Sequence, residues 1–579
     1  MTRRQVGCAV FGGILIATAI FLPRDWYDTL PTNPEIPQPP LKGVSLLQWV
    51  MALQGVFLIG VGWRRWAYVR LDLADRLQMK PLPDPGATIS PRTSLLLLGG
   101  ITLLALLLRC LQLDSDFWID EIRATLDARE MSTLAVVGSY VRSNVHMLNT
   151  LLMKLSIAAF GEAEWSARLP AVLFGTASVP ALYWVSRHVA SREVSLGAAL
   201  LLAVSYHHVF FSQNARGYAP YILFSLVSSA LLVRGLRTDR PGIWGLYVVV
   251  TLLNFASILI SGFVFASHVL VGAAALVTVK RSGASPLPLF RRLALVFGTA
   301  AILGFQLYSV QLPQVIAYLN VTYASPTSGY RLFSVEFVRE MGRGLSAGFG
   351  PGLLLGALPF LLLAGVGFLA FVRRQWTLAV ALTLPLVLTA VLPFLRGLTV
   401  SPRFFLLGLP VAALTALLAV DLSVRFVGRK LGWGTAFQRG AVVGVVLLLS
   451  AASLASLGPY YATPKQPYRA SLEYAAFERR PDEIVVAIHT ARRGAAYYGP
   501  GVGLTEGSDL FLADSLEALE AVLSAHDTEG ALLVTSMPRA LHLDHPDLEA
   551  RIEGGWRIAR TFPATIGDGQ ISVWTPRNR

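Results

Sequence analysis

The stretch DSDFWIDEIRATLDAR, Asp114 to Arg129, places two adjacent carboxylates, Asp120 and Glu121, just beyond an apolar run. That run, Ser94 to Leu113, is mostly Leu, Ile, Ala and Gly. Its roughly 20 residues, at about 1.5 Å each, are enough to cross a hydrocarbon core about 30 Å thick. Asp120 is therefore expected at the end of a spanning helix. Two readings of the pair compete. In one, Asp120 caps a helix beginning at Glu121 by accepting a backbone N–H. In the other it is a general base at a membrane surface, its pKa raised by the second carboxylate and an apolar wall.

Working outward, composition decides the class. The chain has 579 residues, 54% apolar and only 15% charged, with a mean hydropathy of +0.56. These values exclude a soluble globule and imply a polytopic α-helical membrane protein. A net charge of +14 would point to nucleic acid in a soluble chain. Here the basic residues cluster in short loops between apolar runs, as membrane topology requires, and no nucleic-acid partner is expected. Only six of the 49 basic residues are Lys, as in a GC-rich bacterial gene, so the expected location is the bacterial cytoplasmic membrane. Cys8 and Cys110 lie near opposite ends of different runs, too far apart for a disulfide.

Arg3 and Arg4 precede an apolar stretch to Leu22 that FLPRDWYD follows, with no small-residue cleavage site, so a retained helix is expected. The Pro-rich Pro23 to Lys42 then reads as external, Val44 to Gly62 as returning, and the basic Arg64 to Lys80 as cytoplasmic. The helix Ser94 to Leu113 runs outward, which puts Asp120 on the external side. Val141 to Phe160 is interrupted by Arg142, Asn144, His146, Asn149 and Lys154, the pattern of an interfacial helix. Ten further spans follow. They are Ala167 to Arg187, Val194 to Phe211, Tyr218 to Leu236, a pair within Ile243 to Val279, Leu293 to Leu312, Leu353 to Phe371, Thr377 to Leu395, Phe404 to Leu422 and Ala441 to Leu457. The total is 13, with the N-terminus inside and the C-terminus outside. The segment Pro313 to Gly350, with Tyr318, Tyr323, Tyr330, Arg331 and Arg339, reads as a long external, substrate-facing loop. From Gly458 charges, Gly and short β-like runs (Glu483 to Ile488, Ala531 to Thr535) alternate with a helical Ser515 to Ala525, a small α/β domain outside the membrane. The organisation expected is an N-terminal extension and linker (1–93), a transmembrane catalytic domain (94–457) and an extracytoplasmic α/β domain (458–579).

Three stretches together resemble the GT-C superfamily of membrane glycosyltransferases, in the branch that includes protein O-mannosyltransferases and the lipid A aminoarabinose transferase. FWIDEIRATLDAR is similar to the family's first external loop, where an aromatic residue precedes an Asp-Glu pair. HMLNTLLMKLSIAAFGEAEWSARLPAVLFG, His146 to Gly175, is similar to a stretch that opens with His-Pro-Pro-Leu and closes with Arg-Leu-Pro and Phe-Gly, and it departs from it at Met147, Leu148 and Asn149. FFSQNARGYAPY, Phe210 to Tyr221, resembles Ser-Gln-x-x-Arg-x-Tyr at an external helix boundary. SPRFFLLGLP places Arg403 where such chains often have Arg-Tyr.

The resemblance implies transfer of one sugar from a polyprenyl-phosphate carrier to a glycan, lipid or protein acceptor at the outer membrane face. Asp120 is the expected base, with Glu121 assisting or orienting it. Arg216, Arg403 and Arg331 are candidates to hold the departing phosphate, and His146 to contact the donor head group. Arg168, Gln213 and Tyr218 complete the expected substrate-binding set. A single phosphate leaves little charge to neutralise, so no metal or other cofactor is expected, with a divalent metal as the open alternative. An oligosaccharyltransferase or O-antigen ligase is the nearest competing enzyme. A lipid-linked sugar transporter is the competitor from another class; it should carry ionisable groups at mid-membrane depth, whereas the charges here sit near the span ends.

Overall fold

In the computed structural model, the residues described are 3–32, 42–63, 70–71, 77, 89–141, 146–322, 329–345, 353–526 and 530–579. Most of the basic segment expected on the cytoplasmic side lies outside them, as do Arg142, Asn144 and Tyr323.

The run that leads to the acidic pair forms the helix Pro91–Cys110, started by Ser90, whose side chain accepts from the Thr93 N–H, and by Pro91 in the first turn, where no hydrogen bond is lost. Among the described residues nine helices are long and apolar enough to cross a membrane. There are ten if Arg192–Val204 and Tyr206–Ser212, bent by 59°, count as one span. Other expected spans are also helical, but Gln5–Phe21 and Pro241–Ser257 fall below that length, and Leu353–Leu395 is a single run broken at Gln375 (φ −156°, ψ 77°). Length and apolarity therefore do not by themselves yield 13. Cys8 and Cys110 are both free.

Two expectations need correction. Instead of one long external loop, residues 313–350 contribute the helices Leu312–Thr322 and Val335–Leu345. In the second of these Glu336, Arg339, Glu340 and Arg343 recur every three or four residues, the period of a helix with one wet face. A two-way backbone bridge (3.1 and 2.8 Å) joins Tyr330 to Val400, just before Arg403. The spans also do carry a mid-helix ionisable side chain. His268 is buried in Ser261–Arg281, 3.0 Å from both the Ser229 hydroxyl and the Tyr247 phenol, a satisfied polar site between packed helices.

The C-terminal part folds as a five-stranded sheet of β1 (Val485–Ile488), β2 (Leu510–Ala513), β3 (Leu532–Ser536), β4 (Trp556–Phe562) and β5 (Ile571–Pro576), in the order β2-β1-β3-β5-β4. β1 runs parallel to β2 and β3, while β5 is antiparallel to β3 and β4. β1 and β3 are buried along their whole length, as central strands covered on both faces must be, while the edge strand β2 is half-buried at its centre. This unit does not hang free of the membrane part. One continuous cluster joins Phe117, Ile122 and Ala128 around the acidic pair to Tyr468, Leu472, Val485 and Ala495. The sheet is thereby packed onto the segment that carries Asp120.

Candidate active site

The helix that carries the pair spans Ile119–Glu130, and Trp118 occupies its N-cap position without a side-chain bond. Asp120 therefore lies inside the first turn and does not cap it. Gln466 substitutes for a cap from a distance, its Oε1 accepting from the Ile119 N–H at 2.7 Å. Successive helical residues are turned by about 100°, so the two carboxylates point to different partners.

Glu121 points inward and is fully buried. Its Oε1 accepts from Arg168 Nε and from the Ala215 N–H, both at 2.9 Å. Its Oε2 accepts from Arg168 Nη2 at 2.9 Å and from Lys465 Nζ at 3.2 Å. Arg168 spends its remaining donors on the carbonyls of Leu113 (2.7 Å), Ser115 (2.6 Å) and Asp116 (3.1 Å), which pins the entry to the Asp120 helix. Lys465 Nζ also donates to the Gln213 carbonyl. Gln213 in turn donates to Arg109 O (2.9 Å) and Leu111 O (2.6 Å) and accepts from the Tyr460 hydroxyl at 2.6 Å. Burial alone would raise the Glu121 carboxyl, but Arg168 and then Lys465 overrule it and hold it down to about 2. Glu121 is thus held as a buried carboxylate by four hydrogen bonds from Arg168, Lys465 and the Ala215 N–H.

Asp120 faces three guanidiniums. Its Oδ2 accepts from Arg216 Nη1 and, at 3.0 Å, from Arg403 Nη1, while Arg123 Nη1 stands 3.9 Å from Oδ1. Arg216 is further fixed by His146, whose Nε2 lies 3.2 Å from Nε and 3.1 Å from Nη2. Burial first, then Arg216 and Arg403, push His146 well below its ordinary pKa, so a neutral ring faces these donors. Trp118 lies under both arginines, its ring 6.0 Å from Arg216 and 5.6 Å from Arg403, and Tyr218 lies 5.4 Å from Arg216. The turn between Arg216 and Tyr218 needs glycine, because a Cβ on Gly217 would come 2.0 Å from the Ser257 carbonyl.

Of the residues singled out in the sequence, Asp120, His146, Arg216, Tyr218 and Arg403 meet in one group, and Glu121, Arg168 and Gln213 in the layer directly behind it. Arg331 is exposed and belongs to none of the ion pairs that join these groups. Sequence reading missed Lys465, Gln466 and Arg123. The signal for Lys465 was available, since it is one of six lysines and stands between Pro464 and Pro467 just beyond the last apolar run. Among the described residues no three His, Cys, Asp or Glu side chains are grouped as metal ligands.

The buried layer generates two expectations. Arg168→Met leaves Glu121 with too little compensation and should destabilise the protein by about 3–5 kcal/mol, read by thermal unfolding in detergent. Lys465 is depressed from 10.5 to about 7, by burial first and against the pull of Glu121. The unfolded chain then holds this proton where the folded protein has lost it. This group's contribution to stability is full above about 10.5 and is lost as pH falls toward about 7. Lys465→Met should flatten the rise of stability between those two values.

Three comparisons bear on this geometry. Residues 147–301 match the family described as dolichyl-phosphate-mannose-protein mannosyltransferase. No curated protein sequence matches the chain. Among solved structures, ArnT from Cupriavidus metallidurans bound to undecaprenyl phosphate is 14% identical over 84% of this chain and 98% of its own, with a TM-score of 0.49. AglB from Archaeoglobus fulgidus, in complex with an inhibitory peptide and a dolichol-phosphate, is 12% identical over 80% and 72%, with a TM-score of 0.48. Arabinosyltransferase EmbB from Mycobacterium smegmatis is 13% identical over 74% and 47%, with a TM-score of 0.33. Superpositions this loose add no weight of their own, and what the comparisons show is that the segment 147–301 is similar to that mannosyltransferase family.

Proposed function

We propose that the protein transfers a single sugar from a polyprenyl-phosphate carrier to an acceptor at the outer face of the cytoplasmic membrane, with Asp120 as general base. One observation carries this reading. A carboxylate just past a spanning helix is clasped by Arg216 and Arg403, two forks drawn from distant parts of the chain. The name of the matched family, which includes a dolichyl phosphate, supports the same donor class. The outer face is inferred from the charges of the short loops.

The chemistry follows from competition for the two arginines. Guanidinium forks bind phosphate and carboxylate with the same bidentate geometry. A carrier phosphate arriving beside Asp120 draws Arg216 and Arg403 toward itself and leaves the carboxylate less neutralised, hence a stronger base. Asp120 then takes the proton of the acceptor hydroxyl or amine as that atom bonds to the anomeric carbon. The bond from the anomeric carbon to the carrier oxygen breaks, and its electron pair leaves on the phosphate, which the arginines stabilise as charge builds. Neutral His146 keeps Arg216 in place without adding a competing cation.

Two measurements test these roles. Asp120→Asn keeps the shape but cannot take the proton, so single-turnover transfer should fall about a hundred- to ten-thousandfold while donor binding persists. Near-normal transfer by this variant would sink the base assignment. Arg216→Lys and Arg403→Lys each lose a planar fork and should weaken donor binding or turnover by about 1.5–3 kcal/mol, roughly ten- to a hundredfold. Wild-type donor affinity and turnover in both would refute the phosphate role.

A further inference from the structure

A cleft of about 790 Å³ opens where the C-terminal unit meets the membrane part, within the size of ligand pockets. One wall is the helix of Asp120, through Leu126, Arg129 and Glu130. The opposite wall is formed by Arg469, Tyr497 and Tyr498, with Glu162 and Glu164 between the two. None of these residues has a part in the transfer chemistry described above.

Five of the seven charged side chains that line the cleft pair with one another, Arg129 with Glu130 and Glu162 and Arg469 with Glu164, and the exposed Glu473 and Arg493 add one charge of each sign. Arg129 Nη1 lies 3.4 Å from Glu162 Oε1, and Arg469 pairs both with Glu164 and, at 3.0 Å, with Asp116. A charged ligand would have to break such pairs to gain new ones. A neutral polyhydroxyl ligand would not, because its hydroxyls can donate to the carboxylates and accept from the guanidiniums where they stand. The cleft also holds an aromatic platform. Tyr497 is half-buried, its hydroxyl 3.2 Å from Glu162 Oε1, and Tyr498 is buried, its hydroxyl 3.1 Å from Glu164 Oε1. The Tyr498 ring is covered by Tyr468 and Arg469, whereas the half-buried Tyr497 ring, fixed in this way, offers an apolar face at little entropic cost, the surface on which the C–H face of a sugar ring packs.

One flank of the helix leads from the cleft toward Asp120. Arg123, Leu126 and Glu130 are spaced i, i+3, i+7 and share a face. The last two line the cleft, and Arg123 stands 3.9 Å from Asp120. Leu126 is six residues from Asp120, about 9 Å along the axis, a span that a short run of sugar units covers.

We propose that this cleft is the acceptor subsite and that the acceptor is a neutral glycan, whose inner sugars lie against Tyr497 while its terminal hydroxyl reaches Asp120. This rests on the transfer reaction proposed above. The full-length protein in lipid nanodiscs is titrated with three neutral tetrasaccharides, mannotetraose, maltotetraose and cellotetraose, and binding is read by saturation-transfer NMR and calorimetry. At least one should bind in the millimolar range or tighter. Tyr497→Ala should weaken it at least tenfold and Glu162→Gln severalfold, and Tyr497→Phe should retain most of it, with the Phe variant also controlling for folding. If no sugar is transferred from any polyprenyl-phosphate donor yet Tyr497-dependent binding is found, the subsite stands and the transfer reading falls. Binding of none of the three, binding that Tyr497→Ala and Glu162→Gln both leave unchanged, or transfer to a lipid or peptide acceptor without glycan binding overturns the subsite.

Discussion

Glu121 is shut off from water, and the two cations that compensate it come from the start of one spanning helix and from the linker beyond the last one. A carboxylate in such a place costs several kcal/mol in lost hydration, recovered only when partners saturate it. Here all four of its hydrogen bonds are made, to Arg168, Lys465 and the Ala215 N–H. The arrangement ties together four segments that are remote in sequence. These are the Asp120 helix, the Arg168 helix, the turn from Gln213 to Arg216 and the Lys465 linker. None can shift without leaving a buried charge or carbonyl unpaired.

That constraint gives the outer layer its precision. Ala215 donates to Glu121, and Arg216, the next residue, reaches Asp120. Arg216 is thus set by the anchor behind it and not by the flexible length of its own side chain. The C-terminal unit takes part in the same way. The Gln466 side chain accepts from the Ile119 N–H, the Arg469 N–H donates to Asp116 Oδ2 at 2.8 Å, and the Tyr498 hydroxyl accepts from the Phe117 N–H at 2.8 Å. Each of these bonds falls on the few residues that lead into the Asp120 helix, so the C-terminal unit helps to shape the candidate site.

Adjacency in sequence is misleading at this point. Asp120 and Glu121 read as one acidic pair, yet helical geometry turns them to separate partners, one among buried and half-buried arginines and the other in a dry anchor. The same holds for residues 313–350, where Tyr and Arg in an otherwise patternless stretch read as a lid. Their spacing fits helices whose polar positions recur every three or four residues, and Arg331, placed between those helices, faces solvent.

By itself the sequence determined the class of the protein, the placement of most of its helices, the strands at Val485–Ile488 and Leu532–Ser536, and the short motifs that hold Asp120, Arg168, Arg216 and Arg403. These are local quantities. Apolar run length, loop charge and motif spacing are set by bilayer thickness and by helix rise, and both act within a few tens of residues. Only the tertiary structure decided which side of the helix each carboxylate faces toward what, and that Lys465, 344 residues from Glu121 along the chain, completes its compensation. Burial of a charge is a property of everything packed around it, and no window along the chain contains that information.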